Sequence, residues 1–150
     1  MTGTEFEPTI IGFFCQWCAD AAADAAGRAR IALPPNLRVV RVMCSGRVAP
    51  EFILQAFTAG ADGVLVAGCL DGSCHYKNGN MTALKRMTVL KTVLTPLGID
   101  TERVRQVGIG ADDPKGLARV VSDLVETVRR LGPHPRNLST GIGIACPDQK

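Results

Sequence analysis

The stretch TIIGFFCQWC, residues 9–18, decides the fold of this chain. Its first six residues are continuously apolar, which is typical of a parallel strand buried on both faces of a sheet. Cys15 and Cys18 follow at the point where the strand pattern gives out. An alanine-rich segment from Cys18 to about Ile31 then predicts a helix. The stretch therefore predicts a strand followed directly by a helix, with two cysteines in the turn between them.

Strand and helix patterns alternate through the rest of the chain. Further strands are predicted at 37–43, 62–68 and 104–108, and further helices at 50–59, 81–97 and 114–131. The apolar face of the third helix is predicted to consist of Leu84, Met87, Leu90, Leu94 and Leu97. The alternation predicts an α/β fold, a single flavodoxin-like domain whose four-stranded parallel sheet, of order 2-1-3-4, has helices on both faces. We expect the domain to span residues 1–132, and residues 133–150 to form a tail that is extended or docks on a partner.

Five of the six cysteines lie where predicted strands end. Two follow the first strand, one follows the second, and two lie in the loop after the third: Cys15, Cys18, Cys44, Cys69 and Cys74. In an open parallel sheet, the loops after the strands share one edge, where ligands bind. A 2-1-3-4 order places these three loops side by side. The sequence therefore predicts a metal or iron–sulfur site at this edge.

The spacing of the cysteines leaves several chemistries open. The C-x-x-C of Cys15 and Cys18 suits a dithiol, half a zinc site or half a cluster site. The C-x4-C of Cys69 and Cys74 has a spacing that also occurs in plant-type [2Fe-2S] sites. Five thiols suit a larger group than one zinc ion, but a thiol–disulfide oxidoreductase, a zinc-stabilised adaptor and buried free cysteines remain alternatives. No other cysteine lies at a metal-ligand spacing from Cys146, so we expect Cys146 to be an ordinary free cysteine.

Composition excludes some classes of function. The net charge of +3 is spread along the chain, so no basic stripe predicts nucleic-acid binding. No apolar run approaches the roughly 20 residues that span a bilayer, and residues 1–8 do not resemble a signal peptide, so we expect a cytoplasmic protein. No Ser-His-Asp set, carboxylate pair or phosphate loop is evident, which favours a non-catalytic subunit.

Three longer motifs resemble a known family. They are PPNLRVVRVMCSGRV at 34–48, GADGV at 60–64 and CHYKNGN at 74–80. With the early C-x-x-C, they resemble the delta subunit of methyl-viologen-reducing hydrogenase over about residues 9–131. The resemblance implies an iron–sulfur subunit of anaerobic metabolism with one [2Fe-2S] cluster. Such a subunit passes electrons between a hydrogenase, formate dehydrogenase or other donor and a heterodisulfide reductase A-type flavoprotein.

The resemblance also implies the residues that bind the cluster. The cysteine positions of the family fall on Cys15, Cys18, Cys44, Cys69 and Cys74, one more than a [2Fe-2S] cluster needs. We expect Cys15 and Cys18 to bind one iron, Cys69 and Cys74 to bind the other, and Cys44 to be left over. The alternative, in which Cys44 binds iron and Cys18 or Cys74 is left over, stays open.

Overall fold

Four parallel strands and four helices alternate in the computed structural model, which describes residues 5–135. The sheet order is β2-β1-β3-β4, so the predicted α/β fold and its 2-1-3-4 order are confirmed. The elements are β1 (Ile10–Cys15), α1 (Ala19–Arg28), β2 (Leu37–Val42), α2 (Pro50–Thr58), β3 (Gly63–Gly68), α3 (Gly79–Leu94), β4 (Val104–Gly108) and α4 (Pro114–Leu131).

Two hydrophobic cores lie on opposite faces of the sheet. Successive side chains of a strand point to opposite faces, so Phe13 packs with α2 and α3 while Phe14 packs with α1 and α4. Every residue of β3 is buried, as expected for a central strand covered on both sides. By contrast, the four middle residues of β2 are exposed, because β2 is an edge strand. The cores thus fix β1 and β3 and leave β2 largely uncovered.

The helix ends differ most from the sequence prediction at the end of α1 and at both ends of α3. Helix α1 ends at Arg28, and Arg30 takes a left-handed φ of 56°, which is incompatible with a longer helix. Helix α3 begins at Gly79 and ends at Leu94, while Gly98, with φ 74°, completes the turn after it.

The core face of α3 also differs from the prediction. Leu84 is 48% exposed, so its predicted place on that face is wrong, and Ala83 is buried there instead.

Buried polar groups fasten the amino ends of the strands. Both carboxylate oxygens of Asp62 accept backbone hydrogen bonds, from Thr9 at 2.9 Å and from His134 at 3.1 Å. The guanidinium of Arg103 donates to the carbonyl oxygens of Asp62 and Gly132 at 3.0 and 2.8 Å. This network holds the start of β3, the approach to β1 and the segment after α4 together.

The tail predicted at 133–150 is described only as far as Pro135, where His134 is buried against the domain. Residues 136–150, including Cys146, lie outside the described residues, so the boundary at residue 132 stays a prediction. No helix within 5–135 is long and apolar enough to cross a membrane.

Candidate metal centre

Three neighbouring loops bring five thiols to the carboxyl end of the sheet. Cys15 ends β1 and Cys18 precedes α1, while Cys44, Cys69 and Cys74 follow β2 and β3. Because β1 lies between β2 and β3, the loop of Cys15 and Cys18 lies between the other two. None of the five is in a disulfide, and all except the half-buried Cys74 are buried.

The thiols form a group of three and a group of two. The sulfur atoms of Cys15, Cys18 and Cys69 all lie within 4.8 Å of one another. Cys69 Sγ is 3.1 Å from Cys18 Sγ and 3.8 Å from Cys15 Sγ. Cys44 Sγ is 3.9 Å from Cys74 Sγ. Cys74 therefore lies against Cys44 in the structure, whereas the sequence analysis paired Cys74 with Cys69 on one iron.

The two thiols of the C-x-x-C motif differ in acidity. A hydrogen bond from Cys18 lowers the pKa of Cys15 to about 5, although burial opposes that shift. The pKa of Cys18 is raised, first by that same hydrogen bond and then by burial. These two shifts favour the thiolate, the form that binds metals, at Cys15 and the protonated thiol at Cys18.

Backbone amides at the start of α3 favour a thiolate at Cys74. Burial alone would raise the pKa of Cys74, but hydrogen bonds from the amides of Tyr76, Asn80 and Gly79 lower it. These amides belong to the first turn of a helix and the loop before it, where N–H groups lack helical partners and the helix dipole favours negative charge. Two of the three strand-end loops thus supply an acidic thiol.

Burial acts differently on the remaining two thiols. It raises the pKa of both Cys44 and Cys69. The amide of Gly46 donates to Cys44 Sγ at 3.4 Å and partly offsets the burial of that thiol. A metal cation at this site would reverse the remaining penalty, since a coordinating thiol is deprotonated by its metal.

Glycines allow the close approach of the loops that surround the thiols. A methyl group on Gly79 would overlap Cys44 Sγ and lie 3.1 Å from Cys74 Sγ. A methyl group on Gly46 would lie 2.8 Å from the backbone of Gly79. Only residues without a side chain fit at these two points. Sequence analysis missed both, although each lies within a motif that adjoins a cysteine.

Aromatic side chains join two of the loops beside the thiols. The indole of Trp17 stacks on the ring of His75, with centroids 4.4 Å apart and planes 12° apart. Trp17 Nε1 also donates to the hydroxyl of Tyr76 at 3.3 Å. Trp17 and Tyr76 are 44% and 46% exposed, so this cap forms part of the surface of the site.

Comparison with known proteins agrees with the sequence motifs. The family described as methyl-viologen-reducing hydrogenase, delta subunit, matches residues 10–132. The chain belongs to this family. It is 51% identical over 129 residues to the iron-sulfur subunit of the F420-non-reducing hydrogenase of Archaeoglobus profundus, covering 86% of this chain and 94% of that protein. Over 136 residues it is 43% identical to the vhc iron-sulfur subunit of the F420-non-reducing hydrogenase of Methanococcus voltae, covering 91% and 94% of the two chains.

A second kind of relative carries this domain as part of a larger chain. The chain is 46% identical over 126 residues to the A-type subunit of the ferredoxin/F420H2-dependent CoB-CoM heterodisulfide reductase of Methanosarcina acetivorans. The match covers 84% of this chain but only 16% of that protein. The same domain thus occurs both as a separate polypeptide and within the A-type polypeptide of a heterodisulfide reductase.

Proposed function

We propose that this chain is an electron-transfer subunit that carries one [2Fe-2S] cluster on its strand-end thiols. The observation that carries the proposal is the distance within two pairs of thiols, 3.8 Å for Cys15 and Cys69 and 3.9 Å for Cys44 and Cys74. Two thiolates on one tetrahedral metal, with bonds of about 2.3 Å, lie about 3.8 Å apart. Each pair therefore has the spacing of two ligands on one metal atom, and two such pairs suit a two-iron cluster.

The same distances favour one choice of ligands. We propose that Cys15 and Cys69 bind one iron, that Cys44 and Cys74 bind the other, and that Cys18 is left over. Cys18 lies 3.1 Å from Cys69, closer than two ligands of one metal, and its thiol donates a hydrogen bond to Cys69 Sγ. This is one of the alternatives that the sequence leaves open, and it differs from the set in which Cys44 is left over.

A cluster bound here would supply reversible one-electron chemistry without a substrate of its own. The protein would provide four thiolates, those of Cys15, Cys69, Cys44 and Cys74, and the amides near Gly79 would donate hydrogen bonds to the sulfur of Cys74. Such hydrogen bonds and burial set the reduction potential of iron–sulfur clusters. The cap of Trp17 and His75 would restrict the access of water from one side.

The relatives suggest the place of the protein in a larger system. Their names refer to hydrogenases and to the A-type polypeptide of heterodisulfide reductase. We propose that this chain passes electrons between a hydrogenase, formate dehydrogenase or other donor and a heterodisulfide reductase A-type flavoprotein, in the cytoplasm of an anaerobe. The occurrence of the domain within an A-type polypeptide supports direct contact between the two partners.

Metal and sulfide analysis tests the cluster. Protein purified without oxygen should contain about two iron atoms and two sulfides per chain, and the dithionite-reduced form should give the EPR signal of a reduced [2Fe-2S] cluster. About one zinc per chain and no visible absorption would support the zinc-stabilised adaptor instead. Carefully prepared protein without iron would refute the proposal.

One observation favours a thiol–disulfide oxidoreductase as the second candidate. The acidic Cys15 beside the protonated Cys18 resembles the thiol pair of such enzymes. That function predicts disulfide reductase activity that survives Cys44→Ser and Cys69→Ser. Cys15 and Cys18 are only 1% and 5% exposed, however, so a protein disulfide has poor access to either thiol.

A further inference from the structure

An apolar groove runs along the edge strand β2, on the face of the sheet that carries α2. It has a volume of about 650 Å³, with Val40 and Val42 of β2 on one side and Phe52 of α2 on the other. Phe52 stacks on Phe13 of β1, with ring centroids 6.4 Å apart. Val40 and Phe52 are each 44% exposed. The groove is a continuous apolar surface that no other element of residues 5–135 covers.

The backbone of β2 adds polar groups along the same groove. In the described part of the chain β2 pairs only with β1, so one row of its N–H and C=O groups faces outward. Such an edge pairs readily with an extended segment of another chain. A segment that adds a strand gains main-chain hydrogen bonds and places alternate side chains in adjacent pockets. A strand fits this surface better than a helix, since a helix would leave those groups unpaired.

The groove itself is lined by uncharged residues, but two arginines lie close to it: Arg38 on the same face of β2 as Val40, and Arg47 in the adjoining cleft beside Cys44. Arg38 and Arg47 are exposed, and neither forms an ion pair with a carboxylate of the described residues. Arg38 donates hydrogen bonds to the carbonyl oxygens of Pro35 and Leu37. Glu51, in the first turn of α2, precedes Phe52 in the chain and adds one negative charge. Complementary charge would select a segment with acidic residues beside its apolar ones.

The groove also leads directly to the thiols. Strand β2 ends at Val42, and Cys44 lies two residues further along the chain. Cys44 and the 61% exposed Met43 line a second cleft of about 410 Å³, together with Arg47 and Tyr76. A partner seated along β2 would therefore reach the opening beside Cys44.

From these four observations we infer that an electron-transfer partner docks on the β2 groove through an extended segment. This segment adds a strand to β2, inserts an apolar side chain between Val40 and Phe52, and presents acidic side chains to Arg38 and Arg47. The identity of the partner as an electron-transfer protein rests on the function proposed above. The surface itself rests on burial, charge and the open edge of β2.

Two matched substitutions on one strand test the docking surface. Val39 and Val40 are 45% and 44% exposed but lie on opposite faces of β2, so Val39→Asp controls for the effect of a new charge on the strand. The probe is the heterodisulfide reductase A-type protein of the same organism, and the affinity of the anaerobically purified chain for it is measured by anaerobic biolayer interferometry. We expect Val40→Asp to weaken binding about tenfold or more, and Val39→Asp to weaken it less than about threefold. Equal effects, or no binding by the unaltered chain, would overturn the inference.

A second pair of variants tests whether Val40→Asp weakens binding only because it disturbs the structure of β2. Phe52→Ser should weaken binding as Val40→Asp does, while Val93→Ser, at a similarly exposed position on α3, should not. Raising the salt concentration should weaken binding by the unaltered chain. If light scattering instead finds a dimer that Val40→Asp abolishes, the occupant is a second copy and the inference is wrong.

The same samples separate this inference from the proposed function. Iron, sulfide and EPR are measured for each variant, and Val40→Asp should match the unaltered chain in all three. Protein without iron would refute the cluster, while the contrast between Val40→Asp and Val39→Asp would still decide the docking surface.

Discussion

The two ends of the sheet hold buried polar groups in different ways. At the amino end, both oxygens of Asp62 accept backbone hydrogen bonds, and the guanidinium of Arg103 donates to carbonyl oxygens. At the carboxyl end, the contacts between thiols run from 3.1 to 3.9 Å. Asp62 and Arg103 thus have strong partners within the protein, whereas the thiols have mainly one another.

This difference separates groups that stabilise the fold from groups that are available to a ligand. A buried carboxylate or guanidinium is costly unless it is paired, and at the amino end both Asp62 and Arg103 have hydrogen-bond partners. Thiols are weak donors and acceptors, so a cluster of them contributes little stability by itself. We therefore expect substitutions at the carboxyl end to change metal binding, and substitutions at the amino end to change stability.

The largest effect is expected for Cys69→Ser. Cys69 Sγ contacts both Cys15 and Cys18, so its loss removes the centre of the group of three thiols. Iron retained after anaerobic purification should fall about tenfold or more, because one iron would lack a thiolate ligand. Circular dichroism should show an unchanged fold.

Cys18→Ser and Cys44→Ser then decide between the two ligand sets. The distances predict that Cys18→Ser keeps most of its iron and that Cys44→Ser loses it. The reverse result would restore the set in which Cys44 is left over. Equal retention by both variants would contradict the two-pair arrangement.

The second effect is on stability and lies at the amino end. Asp62→Ala should lower the free energy of unfolding by about 2–4 kcal/mol, since it leaves two backbone amides without their acceptor and removes one of the two carboxylates that lie near Arg103. Urea unfolding of the iron-loaded protein, followed by far-UV circular dichroism, measures the change. Iron content in the absence of urea should not change.

Asp113→Ala is the matched control for Asp62→Ala. Its side chain accepts one hydrogen bond, from the amide of Gly116, on the exposed surface at the start of α4. Removing such a cap costs about 1 kcal/mol. If the two variants were equally destabilised, the amino-end network would have no special role.

Much of the fold is predictable from sequence because the pattern of apolar residues along a strand or helix indicates which of its faces are buried. The apolar run at residues 9–14, for example, predicts a central strand, and β1 is central. Leu84 shows the limit of this reasoning, since it shares the helical spacing of Met87 and Leu90 yet faces outward. Periodicity gives an apolar stripe but not its exact edges, which depend on what each helix packs against.

The site is predictable at the level of loops but not of atoms. The strand order brings the three cysteine loops together, and that order follows from the alternation of elements. The contact of Cys44 with Cys74 does not, because it depends on how the turn at Gly46 packs on Gly79. A pair of glycines that lie so far apart in the sequence and permit such a close approach has no local signature.

The third prediction concerns that glycine contact. Gly79→Ala should displace Cys44 Sγ, because the added methyl group would overlap it, and should lower iron retention or alter the EPR spectrum. Gly27→Ala is the control, because nothing lies within 4 Å of its added methyl group. It should leave iron and spectrum unchanged and stabilise α1 by about 0.4–1 kcal/mol. An unaltered spectrum and iron content in Gly79→Ala would argue that Cys44 binds no metal.

The smallest effect is expected from pH at the amino end. His134 packs on Phe57, with ring centroids 5.1 Å apart, and within the described chain neither of its ring nitrogens has a hydrogen-bond partner. Burial, and then the charge of Arg103, lower its pKa from the usual 6.5, although Asp62 acts in the opposite direction. The folded state therefore favours the neutral ring, and the stability that it contributes is present above pH 6.5.

Lowering the pH below 6.5 should loosen the segment around His134 before it affects the rest of the fold. Protonation then favours states in which the ring is exposed, so protection of the His134 amide from hydrogen exchange should fall over the pH window just below 6.5, after correction for intrinsic rates. Glu7, whose pKa is lowered from 4.5, does not titrate in this window. His134→Phe keeps an aromatic contact with Phe57 but cannot be protonated, so its protection should be independent of pH. Equal pH dependence in both proteins would assign the effect to another group.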